Sequence, residues 1–287
     1  MTPSSSHKPS KSQRSAQARE QARLLREAQE RQERRKGLLI RWGVVAAVVA
    51  ILVVVGLIVT NTIRGQVPDA GPAPSGGNEY GGIVLSSSTE MESFETGDVD
   101  LATLPSDPRP AGELPPGIAA SGDGEPVQVV SYVDVNCVFC AEFESTHAEQ
   151  IRTWLDAGEI TMEHRNVAYL DRNSSTDYSS RGANALACVA EESPEAYFDF
   201  STGLFANYEN GELDDAGLAS LASTVGAADI STCLSEGTFR PWVNFTTEAA
   251  ELDGITGTPT IYVDGEAVPE AIDNFAEFTQ EKIDAKG

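Results

Sequence analysis

The chain has 287 residues, with 20 Lys and Arg against 44 Asp and Glu and a formal net charge of -24. Such an acid surplus argues against nucleic acid as a partner, because phosphates need basic neutralisation. The charge is also divided along the chain: residues 1–41 hold 11 bases and 4 acids, net +7, and the remainder holds 9 bases and 40 acids, net -31.

The division falls at residues 42–60, a 19-residue run without a charged side chain. At about 1.5 Å per helical residue, that run matches the thickness of a bilayer core. Residues 42–63 therefore read as one transmembrane helix. The basic leader, residues 1–41, is expected in the cytoplasm by the positive-inside rule, with everything after the helix on the outer side of a cell membrane. A cleaved signal peptide fits less well, since the leader is long and no A-x-A site follows the apolar run. Within the leader, residues 12–36 interleave Glu and Arg in a helix-forming composition, which suits a topology signal or contact with anionic lipid.

Residues 64–125 are rich in Gly, Pro, Ser and acids (VPDAGPAPSGGNEYGG, LPSDPRPAGELPPG). This composition offers little apolar surface to offset chain entropy and reads as a disordered linker. Only GIVL, residues 82–85, has the character of a short edge strand.

Residues 126–287 carry an α/β pattern. VQVVSYV, from Val127, is a β-branched run suited to a strand buried on both faces. Phe139, Phe143, Ile151 and Leu155 recur at multiples of four and mark one face of a following helix. Residues 160–168 read as a second strand. Residues 178–236 form an all-helical insertion, in which Leu218, Leu221 and Val225 share a face between an Asp214 N-cap and a Gly226 stop. Asp264-Gly265 between strand formers signals a hairpin. Ile272, Phe275, Thr279 and Ile283 then place an amphipathic helix at the C-terminus.

Cys137-Val138-Phe139-Cys140 sits where a buried strand gives way to a helix. Helix N-terminal amides there stabilise a thiolate on the first cysteine, so Cys137 is the candidate nucleophile and Cys140, one turn in, the candidate resolving thiol. Zinc would need two more ligands, and His7, His147 and His164 lie in no ligand motif. A purely structural disulfide across so short a loop would stabilise little. Cys188 and Cys233 are spaced unlike a redox motif and read as a structural disulfide, which requires an oxidising compartment; a second redox relay is the alternative.

VVSYVDVNCVFC, SSRGANALACVAEE, LFAN, LDDAGLASLA and ITGTPTIYVDG occur in that order, and together they resemble the DsbA-like branch of the thioredoxin superfamily. The resemblance covers about residues 126–287. It implies a thioredoxin-like fold with a helical insertion, and places Thr258 and a cis Pro259 beside the cysteine pair. Two departures stand out. Relatives commonly have Pro where this chain has Val138, and a buried acid assisting the resolving thiol where it has Ser131. Phe139 also lacks the imidazole of a Cys-Pro-His-Cys enzyme.

The function implied is thiol-disulfide exchange with unfolded or partly folded secreted proteins, without a cofactor. An oxidase of this type would be recharged by a quinone-linked membrane protein, DsbB-like or of the vitamin K epoxide reductase type. The alternative is a non-catalytic thioredoxin-like binding module of the cell envelope.

Overall fold

A strand that shows no polar side belongs at the centre of a sheet covered on both faces, and VQVVSYV occupies that place. The computed structural model describes residues 67–286 together with Arg23 and Ile51. The chain divides into two compact units, Met1–Gln66 and Val67–Gly287. The expected cytoplasmic segment and the transmembrane helix at 42–63 lie outside the described residues, Arg23 and Ile51 excepted. Among the described residues no helix is long and apolar enough to cross a membrane.

In chain order the second unit contains β1 (Ala70–Pro72), β2 (Ile83–Leu85), β3 (Asp98–Asp100), β4 (Val127–Val133), α1 (Val138–Asp156), β5 (Ile160–Asn166), α2 (Tyr178–Glu192), α3 (Tyr197–Ala206), α4 (Asp215–Thr224), α5 (Ser231–Glu236), α6 (Arg240–Leu252), β6 (Thr260–Val263), β7 (Glu266–Ala267) and α7 (Ala271–Lys286). The main sheet has the order β2-β5-β4-β6-β7. β4 and β5 are parallel and joined through α1, so they form a βαβ unit. β6 returns antiparallel to β4.

The two faces of β4 explain why its apolar residues do not alternate with polar ones. Val127, Val129 and Val133 enter the main core, while Val130 and Tyr132 enter a smaller cluster with Ile118, Val167, Ala250 and Ile255. On the main-core side Phe275 of α7 packs edge-on against Phe143 and Trp154 of α1, with ring centroids 5.0 and 6.0 Å apart. α3 lies along another flank of α1, where Arg152 covers the Phe198 ring and pairs with Asp199.

Local signals behave as their chemistry demands. Asp214 caps α4 by accepting from the Gly217 N–H at 2.8 Å. The hairpin turn has positive φ at both Asp264 (52°) and Gly265 (80°), as a type I′ turn requires. The helix-face reading needs one change: Phe143, Ile151 and Leu155 are buried, but Phe139 in the first turn is 56% exposed. Helices follow one another from α2 through α6, which ends at Leu252.

Residues 67–125 are not a disordered linker. β1 and β3 pair with each other, and β2 extends the main sheet antiparallel to β5, at the place the GIVL segment predicts. Ile83, Leu85, Val99 and Ile118 are buried. Arg109 pairs with Asp253 of the α6 cap at 2.8 Å, and Gln128 accepts from the Ala119 N–H. Composition counts the apolar groups a segment owns and not those it meets. A few well-spaced apolar residues docked on an already formed body offset the entropy of ordering the rest.

The same strap completes a buried ion pair. Arg165 is 1% exposed, and its guanidinium donates to Glu163 (2.6 Å), the Tyr132 hydroxyl (2.7 Å) and the Pro116 carbonyl (2.8 Å). Gly82 makes room for it, since a Cβ there would lie 2.0 Å from Glu163 Oε1.

Candidate active site

The active-site loop is set by the carboxylate of Asp134, which directly follows β4 and is fully buried. Its oxygens accept from the N–H groups of Asn136 and Leu170, each at 2.9 Å, and its carbonyl accepts from the Cys137 N–H at 3.0 Å. Burial pushes this carboxyl up to about 6 against the hydrogen bonds from the Asn136 and Leu170 N–H groups. Beneath the loop, α2 approaches closely at Gly182, where a Cβ would sit 2.6 Å from Val135.

Cys137 follows as the N-cap of α1, with extended backbone (φ -96°, ψ 122°). It is 7% exposed, whereas Cys140 is not exposed at all. Both are free thiols. The difference in depth translates into acidity. A hydrogen bond from the Cys140 thiol, joined by the Thr258 side chain and the N–H groups of Cys140 and Phe139, brings Cys137 down to about 5 against the opposing effect of burial. Burial, together with donation to Cys137 and the charge that residue carries, pushes Cys140 well above an ordinary thiol. The pair is thus divided into an outer thiolate and an inner thiol.

Thr258 comes from the loop before β6. Its carbonyl oxygen lies 3.3 Å from Cys137 Sγ, and the Thr258-Pro259 peptide is cis. Chain segments 121 residues apart therefore meet at the nucleophile. Cys188 and Cys233 lie elsewhere and form a disulfide with Cα atoms 6.0 Å apart, tying α2 to α5.

Val138 and Phe139 are 48% and 56% exposed, so an apolar rim flanks Cys137 on the α1 side. It continues into a cleft of ≈ 390 Å³ lined by Val138, Ala141, Phe205 and Tyr208, with Glu142 and Glu209 among its walls. Ser131 is buried, and its hydroxyl donates to the Glu163 carbonyl at 3.3 Å. Among the described residues, no three His, Cys, Asp or Glu side chains converge as metal ligands.

Two buried acids on this side of the sheet escape a motif search: Asp134 and Glu144. Asp134 has a faint signal, an acid at the end of a strand just ahead of the cysteine. Glu144 reads in sequence as one more polar residue on an amphipathic helix, and only packing shows that it is buried.

Residues 121–283 match the family described as thioredoxin. A comparison with curated proteins finds no match. The fold is similar to that of the MdbA protein, a thiol-disulfide oxidoreductase from Corynebacterium diphtheriae, with TM-score 0.52 and 19% identity over 75% of this chain and 95% of that one. It is similar too to oxidised BdbD from Bacillus subtilis, with TM-score 0.51 and 21% identity over 75% of this chain and 99% of that one. At these identities the likeness is one of fold. Residues 126–287 are 162 of the 287, less than the 75% covered, so the likeness extends into the N-terminal strap.

Proposed function

Because the chain belongs to the thioredoxin family, we propose that it is a DsbA-like thiol-disulfide oxidoreductase, anchored in the cell membrane and acting outside it on disulfides of secreted or envelope proteins. The observation that carries this reading is the division of the cysteine pair into an outer group at about 5 and a buried thiol far above it. A nucleophile needs its thiolate populated at working pH, and an attacking group should be the more accessible of the two. A module that only binds has no use for this division.

In the exchange, the Cys137 thiolate attacks one sulfur of a substrate disulfide and the other sulfur leaves as a thiolate. Cys140 then attacks Cys137 Sγ, the protein disulfide forms and the second substrate sulfur departs. Two electrons have passed from the protein dithiol to the substrate. Run backward, the same steps oxidise a substrate dithiol and leave the protein reduced. The Thr258 carbonyl accepts from a Cys137 thiol and offers nothing to a thiolate, so it favours the sulfur once protonated or joined to another sulfur.

Partly folded secreted polypeptides fit the apolar rim of Val138 and Phe139, which offers exposed hydrophobic surface without a shaped charge pattern. Membrane attachment rests on the uncharged run at 42–60 and the basic leader before it. Working as an oxidase, the pair would be recharged by a quinone-linked membrane protein of the DsbB or vitamin K epoxide reductase type.

Insulin reduction, together with disulfide introduction into a reduced substrate protein, tests the activity; failure in both assays refutes it. The reduction potential assigns direction: about -120 mV marks a strong oxidant and about -270 mV a thioredoxin-like reductant.

A further inference from the structure

The exchange leaves one proton without an owner. Cys140 must lose its thiol proton before it attacks Cys137 Sγ, yet it has no exposed surface through which to lose it. Ser131 stands where relatives carry an acid, and a serine hydroxyl is no base at this pH. Some other buried group must act.

Among the described residues three carboxyl groups are fully or nearly fully buried: Asp134, Glu144 and Glu163. Glu163 is held by Arg165 and alternates along β5 with His164, so it points to the opposite face of the sheet from α1. Asp134 feels the charge of Cys137, but both its oxygens are held by backbone N–H groups, one from Asn136 in its own loop and one from Leu170 beyond β5. Glu144 is different. It is 3% exposed, and its Oε1 has no hydrogen-bond partner. It follows Cys140 by four residues on the buried stripe of α1, which puts the two side chains on one face with Cβ atoms about 5–6 Å apart.

Tyr197 of α3, which feels the charge of Glu144, stands in a polar cluster that is unfinished. Ser201, one turn on, leaves its hydroxyl unpaired. From β5, His164 sets its ring, tilted by 36°, 5.8 Å from that of Tyr197, and Asn166 donates to the Tyr197 hydroxyl at 3.2 Å. His164 Nδ1 and Asn166 Oδ1 also lack partners. α7 brings Phe275 and Thr279 to the buried side, neither of which titrates in this range. His147, on α1 itself, turns toward α7, with Nε2 2.8 Å from the Ile272 carbonyl. An unpaired carboxyl in such a place destabilises the fold, so packing gives no reason for it.

Resting on the oxidoreductase reading, we infer that Glu144 takes the thiol proton of Cys140 as the mixed disulfide is resolved, and returns it when Cys140 leaves in the reverse exchange. In the forward step the Cys140 S–H bond breaks and its proton passes to the Glu144 carboxylate. The Cys140 Sγ–Cys137 Sγ bond forms, and the Cys137–substrate S–S bond breaks with the electron pair on the departing sulfur. Burial holds Glu144 at about 7, which suits a group that must both accept and donate near neutrality. His164 is pushed down to about 4 by burial and stays neutral there, while Tyr197 is pushed up and keeps its proton.

The test uses the full-length protein, reduced at Cys137 and Cys140 only and mixed with 5,5′-dithiobis(2-nitrobenzoate). Attack by Cys137 releases one thionitrobenzoate, and resolution by Cys140 releases a second, so the two steps are read separately across pH. Glu144→Gln should leave the first step within about twofold of wild type and slow the second about a hundredfold at pH 7, moving its midpoint upward. Glu144→Asp should recover part of the rate. Should Glu144→Gln fail to fold, the infrared carboxylic-acid band of the wild type, compared between dithiol and disulfide states, must change. A second step unaffected by Glu144→Gln at every pH overturns the inference, as does a loss confined to Asp134→Asn or an unchanging infrared band. A wild type that never releases the second equivalent instead overturns the oxidoreductase reading itself.

Discussion

Replacing Cys140 with Ala removes the largest single contribution to the acidity of Cys137. In the intact pair, the Cys140 thiol donates to the Cys137 sulfur, and with the Thr258 side chain and two backbone N–H groups it holds Cys137 at about 5. A hydrogen bond to a charged group is worth about 1.5–3 kcal/mol, which is about 1–2 pKa units. The amides at the start of α1 and Thr258 remain in the variant. Its Cys137 pKa should therefore rise by about 1–2 units and still fall short of the roughly 8.5 of a free thiol. Thiolate absorbance against pH measures it directly, and the pH dependence of alkylation gives an independent value. The variant would keep much of its thiolate at neutral pH, so it should attack clients and remain attached to them, giving reductant-sensitive adducts on non-reducing gels; Cys137→Ala should give few. An unchanged pKa in Cys140→Ala would refute the role of the thiol hydrogen bond. A pKa equal to that of a free thiol would refute the role of the helix terminus.

The Cys188–Cys233 disulfide closes a loop of 45 residues; it should resist mild reductant that opens an oxidised Cys137–Cys140 pair, and its loss should cost on the order of 4 kcal/mol in urea unfolding. Arg165→Met strands Glu163 inside the fold, and a loss of about 3–5 kcal/mol is expected, largely recovered by adding Glu163→Gln. A fragment of residues 126–287 should be less stable than one of residues 67–287, because it lacks the Pro116 carbonyl, Ile83, Leu85 and Ile118; equal melting temperatures would restore the linker reading. Glu144 has a folded pKa of about 7, above the ordinary carboxyl value, so the folded state binds a proton that the unfolded chain has already released. Its contribution falls as pH rises from about 4.5 to about 7, so Glu144→Gln should be neutral at pH 4 and stabilising by about 3 kcal/mol at pH 8, as unfolding curves at the two pH values would show.

Much of the second unit was legible in the chain alone, because it rests on short-range rules. A strand with apolar residues on both its sides implies two covered faces, and β4 has them. Asp-Gly implies positive φ, and a Cys-x-x-Cys at a strand-to-helix junction implies a thiolate at a helix N-terminus. Tertiary structure alone decided the rest. Whether residues 67–125 order depended on apolar ground supplied by distant segments, which composition does not record. Phe139 matches the helical period of Phe143 but faces outward, because the first turn of α1 emerges at the surface beside the cysteines. Arg165 and Glu163 share a strand, yet their burial depends on Tyr132 and Pro116, 33 and 49 residues from the arginine. Glu144 is the sharpest case: the helix period places it one turn from Cys140, but only the packing of the folded chain, with Tyr197 of α3 beside it, removes its water. The charge of a side chain is written in the sequence, and the free energy of keeping that charge is set by what the folded chain packs around it.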